Sequence, residues 1–127
     1  MNSHATSTPK GDIAEAQSIK ELLLSDKDSD ISRPTISANK GNIGHLVSAA
    51  AVVESIFAIK SLQTGEIPAI KNLNSSDHSG KINHDDIPVF NGLNYATENR
   101  EDDKINVILK NSLVFGGINL AAIFKRL

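Results

Sequence analysis

The sequence predicts an α/β fold. Two segments carry apolar residues at helical spacing, and two strand-like segments flank a glycine turn near the C-terminus. The chain has 127 residues, which suits a single domain, and its formal net charge is −2. Because nucleic-acid binding and membrane-surface binding usually need a basic excess, this charge argues against both.

The first helix is predicted over residues 9–24. Pro9 leads into Asp12, and Glu15 follows as the second member of a capping-box-like pair. The apolar residues that then recur at helical spacing are Ile13, Ala16, Ile19 and Leu23. The acidic run at 25–30 is expected to form a solvated loop.

A second helix is predicted from His45 to about Thr64. It follows a β-prone stretch at 34–39 and a turn at 40–44, and Gly65 provides its stop. Its apolar residues lie nearly all round the helix, which indicates a central, buried position.

The stretch from Leu46 to Leu62 within this helix is the best candidate for a membrane span. Its strong hydrophobes would each gain about 0.3–0.6 kcal/mol on insertion, whereas Glu54 near the centre would cost about 3 kcal/mol and Lys60 adds to that cost. Because these sums roughly cancel, a buried helix of a soluble protein is the better interpretation.

The C-terminal part predicts a β-hairpin. Residues 105–109 and 118–124 are strand-like, and Phe115-Gly116-Gly117 forms the turn between them. The preceding residues 65–104 have no convincing helical pattern and are expected to be mostly irregular. A helix and a hairpin this apolar should leave an exposed apolar face.

Several polar side chains could carry chemistry. They are His4, Lys40, His45, Glu54, Asn111 and Asn119. A surface role is the simpler interpretation for His4 and Lys40. A surface role does not explain Glu54 in its apolar helix, because a buried carboxylate needs a cation or hydrogen-bond donors. At a helix N-terminus the dipole would keep His45 neutral and able to donate to an oxyanion.

Two other kinds of site are disfavoured. The sequence contains no cysteine, which removes disulfides, thiolate metal sites and any cysteine nucleophile from this chain. A zinc site could be imagined around His78 and His84 with the neighbouring aspartates, but no helix fixes their spacing.

Three blocks of sequence resemble the β-ketoacyl-acyl-carrier-protein synthases. HATSTPKGD at 4–12 is similar to that family's H-G-T-S-T-P-x-G-D, and NKGNIGHL at 39–46 is similar to K-x-x-x-G-H-L. NSLVFGGIN at 111–119 resembles the closing N-S-F-G-F-G-G-T-N. The blocks come in the family's order and cover nearly the whole chain. Residues 55–57 and 123–126 resemble the mitochondrial, fungal-like form.

The resemblance implies a fold and a reaction. The chain would be a partial domain over 1–127, the C-terminal part of a thiolase-like αβαβα fold. The family extends fatty acid chains by decarboxylative Claisen condensation of malonyl-acyl carrier protein with an acyl-enzyme thioester. His4 and His45 would stabilise the enolate oxygen, and Lys40, paired with Glu54, would complete the catalytic set.

The remaining family roles also fall on particular positions. Thr6 and Thr8 would bond the phosphopantetheine arm of acyl carrier protein, and Phe115 would gate the acyl pocket. Glu54 and Asn111 could hold a monovalent cation, K⁺ or Na⁺. No other cofactor is expected. Structural support would come from Asp12, Glu15, Glu54 and Asn119.

The sequence departs from the family at several positions. Ala5 replaces a glycine and would be strained by about 1 kcal/mol if its φ is positive. Leu113 and Val114 replace Phe and Gly before the gate, and Ile118 replaces Thr. The first two-thirds of the family, including its cysteine nucleophile, have no counterpart in this chain.

Two functional hypotheses therefore stay open. The chain could be the C-terminal part of a ketosynthase that acts only with the rest of the enzyme, which would be a homodimer. It could instead be an inactive remnant that binds acyl carrier protein or a full-length partner. The resemblance implies the mitochondrial matrix, and otherwise the cytoplasm; no targeting signal is recognisable in the sequence.

Overall fold

The computed structural model describes residues 1–24, 33–73 and 89–127. Within them the helices are α1 (Pro9–Leu24), α2 (Lys40–Ile43) and α3 (Ala50–Thr64), with a 3₁₀ turn at Val47–Ala49. The strands are β1 (Thr35–Ile36), β2 (Glu66–Ile67), β3 (Asn94–Tyr95), β4 (Arg100–Glu101), β5 (Val107–Val114) and β6 (Ile118–Lys125). The predicted α/β content is confirmed.

The first helix has the predicted bounds. It begins at Pro9, whose fixed φ suits the first helical position, and it buries Ala16 and Ile19. The capping-box interpretation is wrong, because the Glu15 carboxylate accepts the backbone N–H groups of residues 4 and 5 instead. The acidic run at 25–30 lies outside the described residues.

The second helix begins later than predicted. The stretch at 40–44 contains the single helical turn α2, which ends at Gly44 with φ 78°. Residues 45 and 46 are irregular, and Val47 has a positive φ of 48°, which a continuous right-handed helix does not allow. The predicted stop at Gly65 is confirmed, with φ 81° and its N–H donating to the carbonyl of Ser61.

The expectation of a fully buried second helix is wrong for this chain. One face of α3 packs on the hairpin through Ala58 and Leu62, beside Ile108. The opposite face stays open, with Val52 64% and Ile56 53% exposed. The described residues cover only one side of this helix, so the predicted exposed apolar face is present.

The C-terminal hairpin is confirmed. The strands β5 and β6 pair antiparallel from Val107 opposite Lys125 to Val114 opposite Ile118. Gly116 and Gly117 form the turn with φ 87° and 81°, values that glycine adopts readily. The hairpin is longer than the two predicted segments, because β5 continues through Asn111 to Val114.

The N-terminal residues join β1 to the hairpin. Asn2 forms parallel bridges to Ser37 on one side and Lys110 on the other. Its backbone N–H donates to the Leu109 carbonyl at 2.8 Å, and its own carbonyl accepts the Asn111 N–H at 2.9 Å. The N-terminal segment therefore lies between the region of β1 and β5, which are far apart in sequence, and residue 4 follows directly after it.

The stretch 65–104 is mostly irregular where it is described. It contains only short strands: β3 pairs parallel with β1, and β2 pairs antiparallel with β4. The histidines of the zinc hypothesis, His78 and His84, lie outside the described residues. Across the described ranges, no helix combines the length and apolar character needed to cross a membrane.

Candidate active site

The structure places His4 and His45 side by side. Their ring centroids are 5.8 Å apart and the rings meet edge to face at 89°. His4 follows the N-terminal segment that bridges the strands, and His45 follows Gly44, which caps α2 with a positive φ. Two residues far apart in the sequence thus share one small site.

The hydrogen bonds of the two rings fix their tautomers. The Lys40 ammonium lies 3.3 Å from His4 Nδ1, and because an ammonium only donates, that nitrogen must accept. The backbone N–H of Val47 donates to His45 Nδ1 at 3.0 Å, so that nitrogen also accepts. Each neutral ring therefore carries its proton on Nε2.

The surroundings of His4 keep its ring neutral. Burial lowers the pKa of His4 below its usual 6.5, and the positive charge of Lys40 lowers it further. The carboxylates of Glu15 and Glu54 act in the opposite direction but have smaller effects. The His4 side chain is consequently uncharged at neutral pH.

Lys40 links the histidine to a buried carboxylate. Its ammonium donates to the His4 carbonyl at 2.6 Å and to Glu54 Oε1 at 2.5 Å. Glu54 is 1% exposed and Lys40 is 7% exposed. This pair accounts for a carboxylate in an apolar helix, since a buried charge needs a counter-charge.

A second buried lysine was missed by the sequence analysis. Lys110 on β5 is 2% exposed, and its Nζ lies 2.7 Å from Glu54 Oε2. This contact is an ion pair without the alignment of a hydrogen bond. One signal in the sequence could have revealed it: Lys110 lies two positions after Ile108 in an apolar strand, so both residues face the same side.

The loop that carries His4 is held by Glu15. The carboxylate of Glu15 accepts the N–H groups of His4 at 2.8 Å and Ala5 at 2.9 Å, and Asn111 Nδ2 lies 3.4 Å from it. Ala5 has φ 37°, so the condition stated for its strain is met. Glu15 therefore holds this strained loop from α1.

The other predicted site residues occupy more open positions. The hydroxyls of Thr6 and Thr8 are 3.1 Å apart near the start of α1, where Asp12 lies in the first turn. Phe115 is 97% exposed at the tip of the hairpin, so no pocket surrounds it in the described part of the chain. Asn119 is exposed on β6, opposite Leu113.

The arrangement is suited to stabilising a negatively charged oxygen. Two neutral imidazoles direct protonated Nε2 atoms away from their internal partners, and the Lys40 charge lies behind one of them. Preorganised N–H donors of this kind stabilise the charge that develops in a transition state. The described residues contain no cluster of three or more acidic or histidine side chains that could hold a metal ion.

The chain is similar to known proteins over its whole length. A family model described as "Beta-ketoacyl synthase, C-terminal domain" matches residues 1–74. A Schizosaccharomyces pombe protein, provisionally named a mitochondrial 3-oxoacyl-[acyl-carrier-protein] synthase, is 39% identical over 126 residues, which are 99% of this chain and 27% of the relative. The 3-oxoacyl-[acyl-carrier-protein] synthase 1 of Escherichia coli is 35% identical over 127 residues, 100% of this chain and 27% of the relative.

A solved structure agrees with these relatives. The crystal structure of a beta-ketoacyl synthase from Burkholderia phymatum matches with a TM-score of 0.79 and 29% identity, covering 99% of this chain and 27% of that one. This likeness confirms the thiolase-like α/β fold class. The chain spans only about a quarter of the length of the proteins it matches. With a family match over more than half of its residues, this chain belongs to the β-ketoacyl synthases and carries the region of their C-terminal domain.

Proposed function

We propose that this chain supplies the histidine side of the active site of a 3-oxoacyl-[acyl-carrier-protein] synthase, which elongates fatty acids. The observation that carries this proposal is the pair of neutral rings, His4 and His45, with centroids 5.8 Å apart and Nε2 protons left for a ligand. The names of the relatives in yeast and bacteria support the same reaction class.

The proposed chemistry uses the histidines as hydrogen-bond donors. When the malonyl thioester loses CO₂, the electron pair of the breaking C–C bond delocalises onto the thioester oxygen. The Nε2–H groups of His4 and His45 stabilise that enolate oxygen. The enolate carbon then attacks the carbonyl carbon of an acyl thioester held on a cysteine, and the cysteine thiolate leaves. This sequence has no cysteine, so the nucleophile belongs to a segment outside it.

Lys40 fixes the tautomer of His4 and disfavours its protonation. Its ammonium occupies His4 Nδ1 and so forces the ring proton onto Nε2, and its charge disfavours protonation of the ring. Glu54 compensates that charge within the protein interior. In this proposal Lys40 acts on the reaction through His4 and does not itself contact the substrate.

The proposal also covers how the substrate is delivered and where the enzyme acts. The substrate arrives on the phosphopantetheine of acyl carrier protein, which accepts hydrogen bonds from the neighbouring hydroxyls of Thr6 and Thr8. Phe115 closes the acyl pocket, whose other residues come from outside this chain.

The complete enzyme is a homodimer in the mitochondrial matrix. Mitochondrial relatives in Schizosaccharomyces pombe and Arabidopsis thaliana support that location.

A chimaera tests the function directly. The matching quarter of the Escherichia coli relative is replaced by this chain, and the fusion is assayed for elongation of acyl carrier protein substrates with malonyl-acyl carrier protein. We expect elongation, and we expect His4→Ala or His45→Ala to lower kcat by about 10²-fold or more. Gln17→Ala, on the exposed side of α1, should leave the rate unchanged.

The opposite result would also be informative. A folded chimaera that binds acyl carrier protein but does not elongate would contradict the proposal and favour the inactive binding protein. Equal loss of activity in Gln17→Ala and His45→Ala would show that the histidine has no special role.

A further inference from the structure

The ammonium of Lys110 is surrounded by oxygen atoms as a metal ion would be. Its Nζ lies 2.7 Å from Glu54 Oε2, 2.7 Å from the Asn111 carbonyl oxygen and 3.0 Å from Ser112 Oγ. A carboxylate, a carbonyl and a hydroxyl are the ligand types that hard cations take in proteins. These oxygens come from α3 and β5, so the tertiary fold assembles the set.

The oxygen atoms around the Lys110 ammonium include those expected to bind a monovalent cation. Glu54 and Asn111 are the residues expected to hold K⁺ or Na⁺, and both already contact the Lys110 ammonium. The other oxygen of Glu54 takes the Lys40 ammonium at 2.5 Å. Each carboxylate oxygen of Glu54 therefore already has an ammonium partner: Oε1 accepts a hydrogen bond from Lys40, and Oε2 forms an ion pair with Lys110. The residues present consequently do not fit a K⁺ or Na⁺ ion.

The charge balance leads to the same result. Two ammonium groups face a single carboxylate, so this buried cluster of Lys40, Glu54 and Lys110 already carries an excess of positive charge. Glu54 and Lys110 are nearly inaccessible to water, so repulsion of a further cation would be poorly screened. A metal ion could enter only by displacing a lysine.

We propose that the Lys110 ammonium takes the place of the monovalent cation at this site, so that the protein needs neither K⁺ nor Na⁺ there. The cation is covalently part of β5, so it cannot be lost by dilution or exchanged with the solvent. The proposal concerns the stability of the fold and holds whether or not the chain takes part in condensation.

Thermal unfolding in different salts tests this inference. The unmodified chain is unfolded in KCl, NaCl and choline chloride at equal ionic strength and equal protein concentration. We expect its Tm to agree within about 1 °C in all three. Lys110→Ser should lower Tm by about 10 °C in choline chloride, because it leaves Glu54 Oε2 without its partner, and KCl or NaCl should restore part of the loss.

The same hairpin offers a matched control. Lys125 on β6 is exposed, so Lys125→Ser removes an equal charge from the neighbouring strand without touching Glu54. Its Tm should stay close to that of the unmodified chain and should show no preference for K⁺ or Na⁺ over choline.

Chemical rescue provides a second measurement. Because the sequence has no cysteine, Lys110→Cys introduces a single thiol. Alkylation of the unfolded variant with 2-bromoethylamine rebuilds an ammonium at lysine length, whereas iodoacetamide adds a neutral amide. After refolding, we expect the aminoethylated protein to regain its Tm and lose any response to K⁺, and the amide adduct to do neither.

Three results would overturn the inference. The first is a saturable rise in the Tm of the unmodified chain with K⁺ or Na⁺ that choline does not produce. The second is a folded Lys110→Ser whose Tm is the same in all three salts. If that variant folds in none of them, equal unfolding temperatures of the two alkylated forms of Lys110→Cys would be the third.

Discussion

Glu54 Oε2 and Lys110 Nζ lie 2.7 Å apart, although one residue belongs to the second turn of α3 and the other to β5 near the C-terminus. The same carboxylate binds Lys40, which contacts His4. A single buried anion thus connects a helix, the hairpin and the histidine pair. Its neutralisation should affect stability and site geometry together.

Glu54→Gln should destabilise the chain by about 3 kcal/mol or more. The amide leaves the ammonium groups of Lys40 and Lys110 buried without a counter-charge, which is the costly way to break a buried ion pair. Urea unfolding measures the loss. Glu98→Gln, at an exposed position, is the control and should change stability by less than about 0.5 kcal/mol. Equal effects of the two substitutions would mean that the buried ion pairs do not stabilise the fold.

Ala5→Gly should stabilise the chain by about 0.5–1 kcal/mol. At φ 37° the Cβ of Ala5 is strained, and glycine adopts this conformation without that cost. Ala51→Gly, on an exposed helical position of α3, is the matched control and should lose about 1 kcal/mol. A loss of stability in both variants would show that Ala5 is not strained in solution.

The pKa of His4 predicts a dependence of stability on pH. Because burial and the charge of Lys40 lower that pKa in the folded state below its usual 6.5, the unfolded chain binds a proton more readily than the folded chain. The free energy of unfolding should therefore fall as the pH drops from about 6.5 toward the folded pKa. Above pH 6.5 His4 should contribute no such dependence.

Comparison with His4→Gln isolates this effect. Urea midpoints measured from pH 7.5 to pH 5 for both proteins cancel the titration of other groups, and NMR titration of the His4 ring gives its pKa directly. We expect the unmodified chain to lose more stability than His4→Gln over this range. Parallel curves, or a pKa at or above 6.5, would contradict the assigned environment.

The apolar surface left exposed on α3 and on β6 should make the isolated chain self-associate. The large hydrophobic residues that are exposed on α3 and β6 are Val52, Ile56, Ile59, Ile118, Leu120 and Ile123. Faces of this kind drive association in a chain that leaves them uncovered. Sedimentation velocity should show oligomers that grow with concentration.

A charge added to the exposed side of α3 tests whether that surface drives the association. Ile56→Lys should weaken self-association at unchanged helix content, since a charge would then have to be buried in the contact. Gln63→Lys adds the same charge at an exposed polar position of α3 and should leave the association unchanged. A chain that is monomeric at every concentration would show that the apolar face does not drive assembly.

Local sequence determined much of the framework. Proline at the start of α1, glycine at the end of α3 and two glycines in the hairpin turn are local signals whose backbone requirements hold in any context, so these positions were predicted correctly. The motifs around His4 and His45 also indicated the family that the comparisons confirm. The burial of α3 was overestimated, because periodicity reports which faces are apolar and not whether the chain contains the structure to cover them.

The tertiary structure alone decided how the charges are paired. Glu15 looked like a helix cap, yet its carboxylate holds the loop of His4, because the strand-like segment around Asn2 brings that loop to α1. Lys110 lies just beyond the predicted strand segment 105–109, and only the packing of β5 on α3 places its ammonium against Glu54. Sequence determines which side chains can carry charge, whereas pairing depends on distances of a few ångströms between segments that only the folded chain brings together.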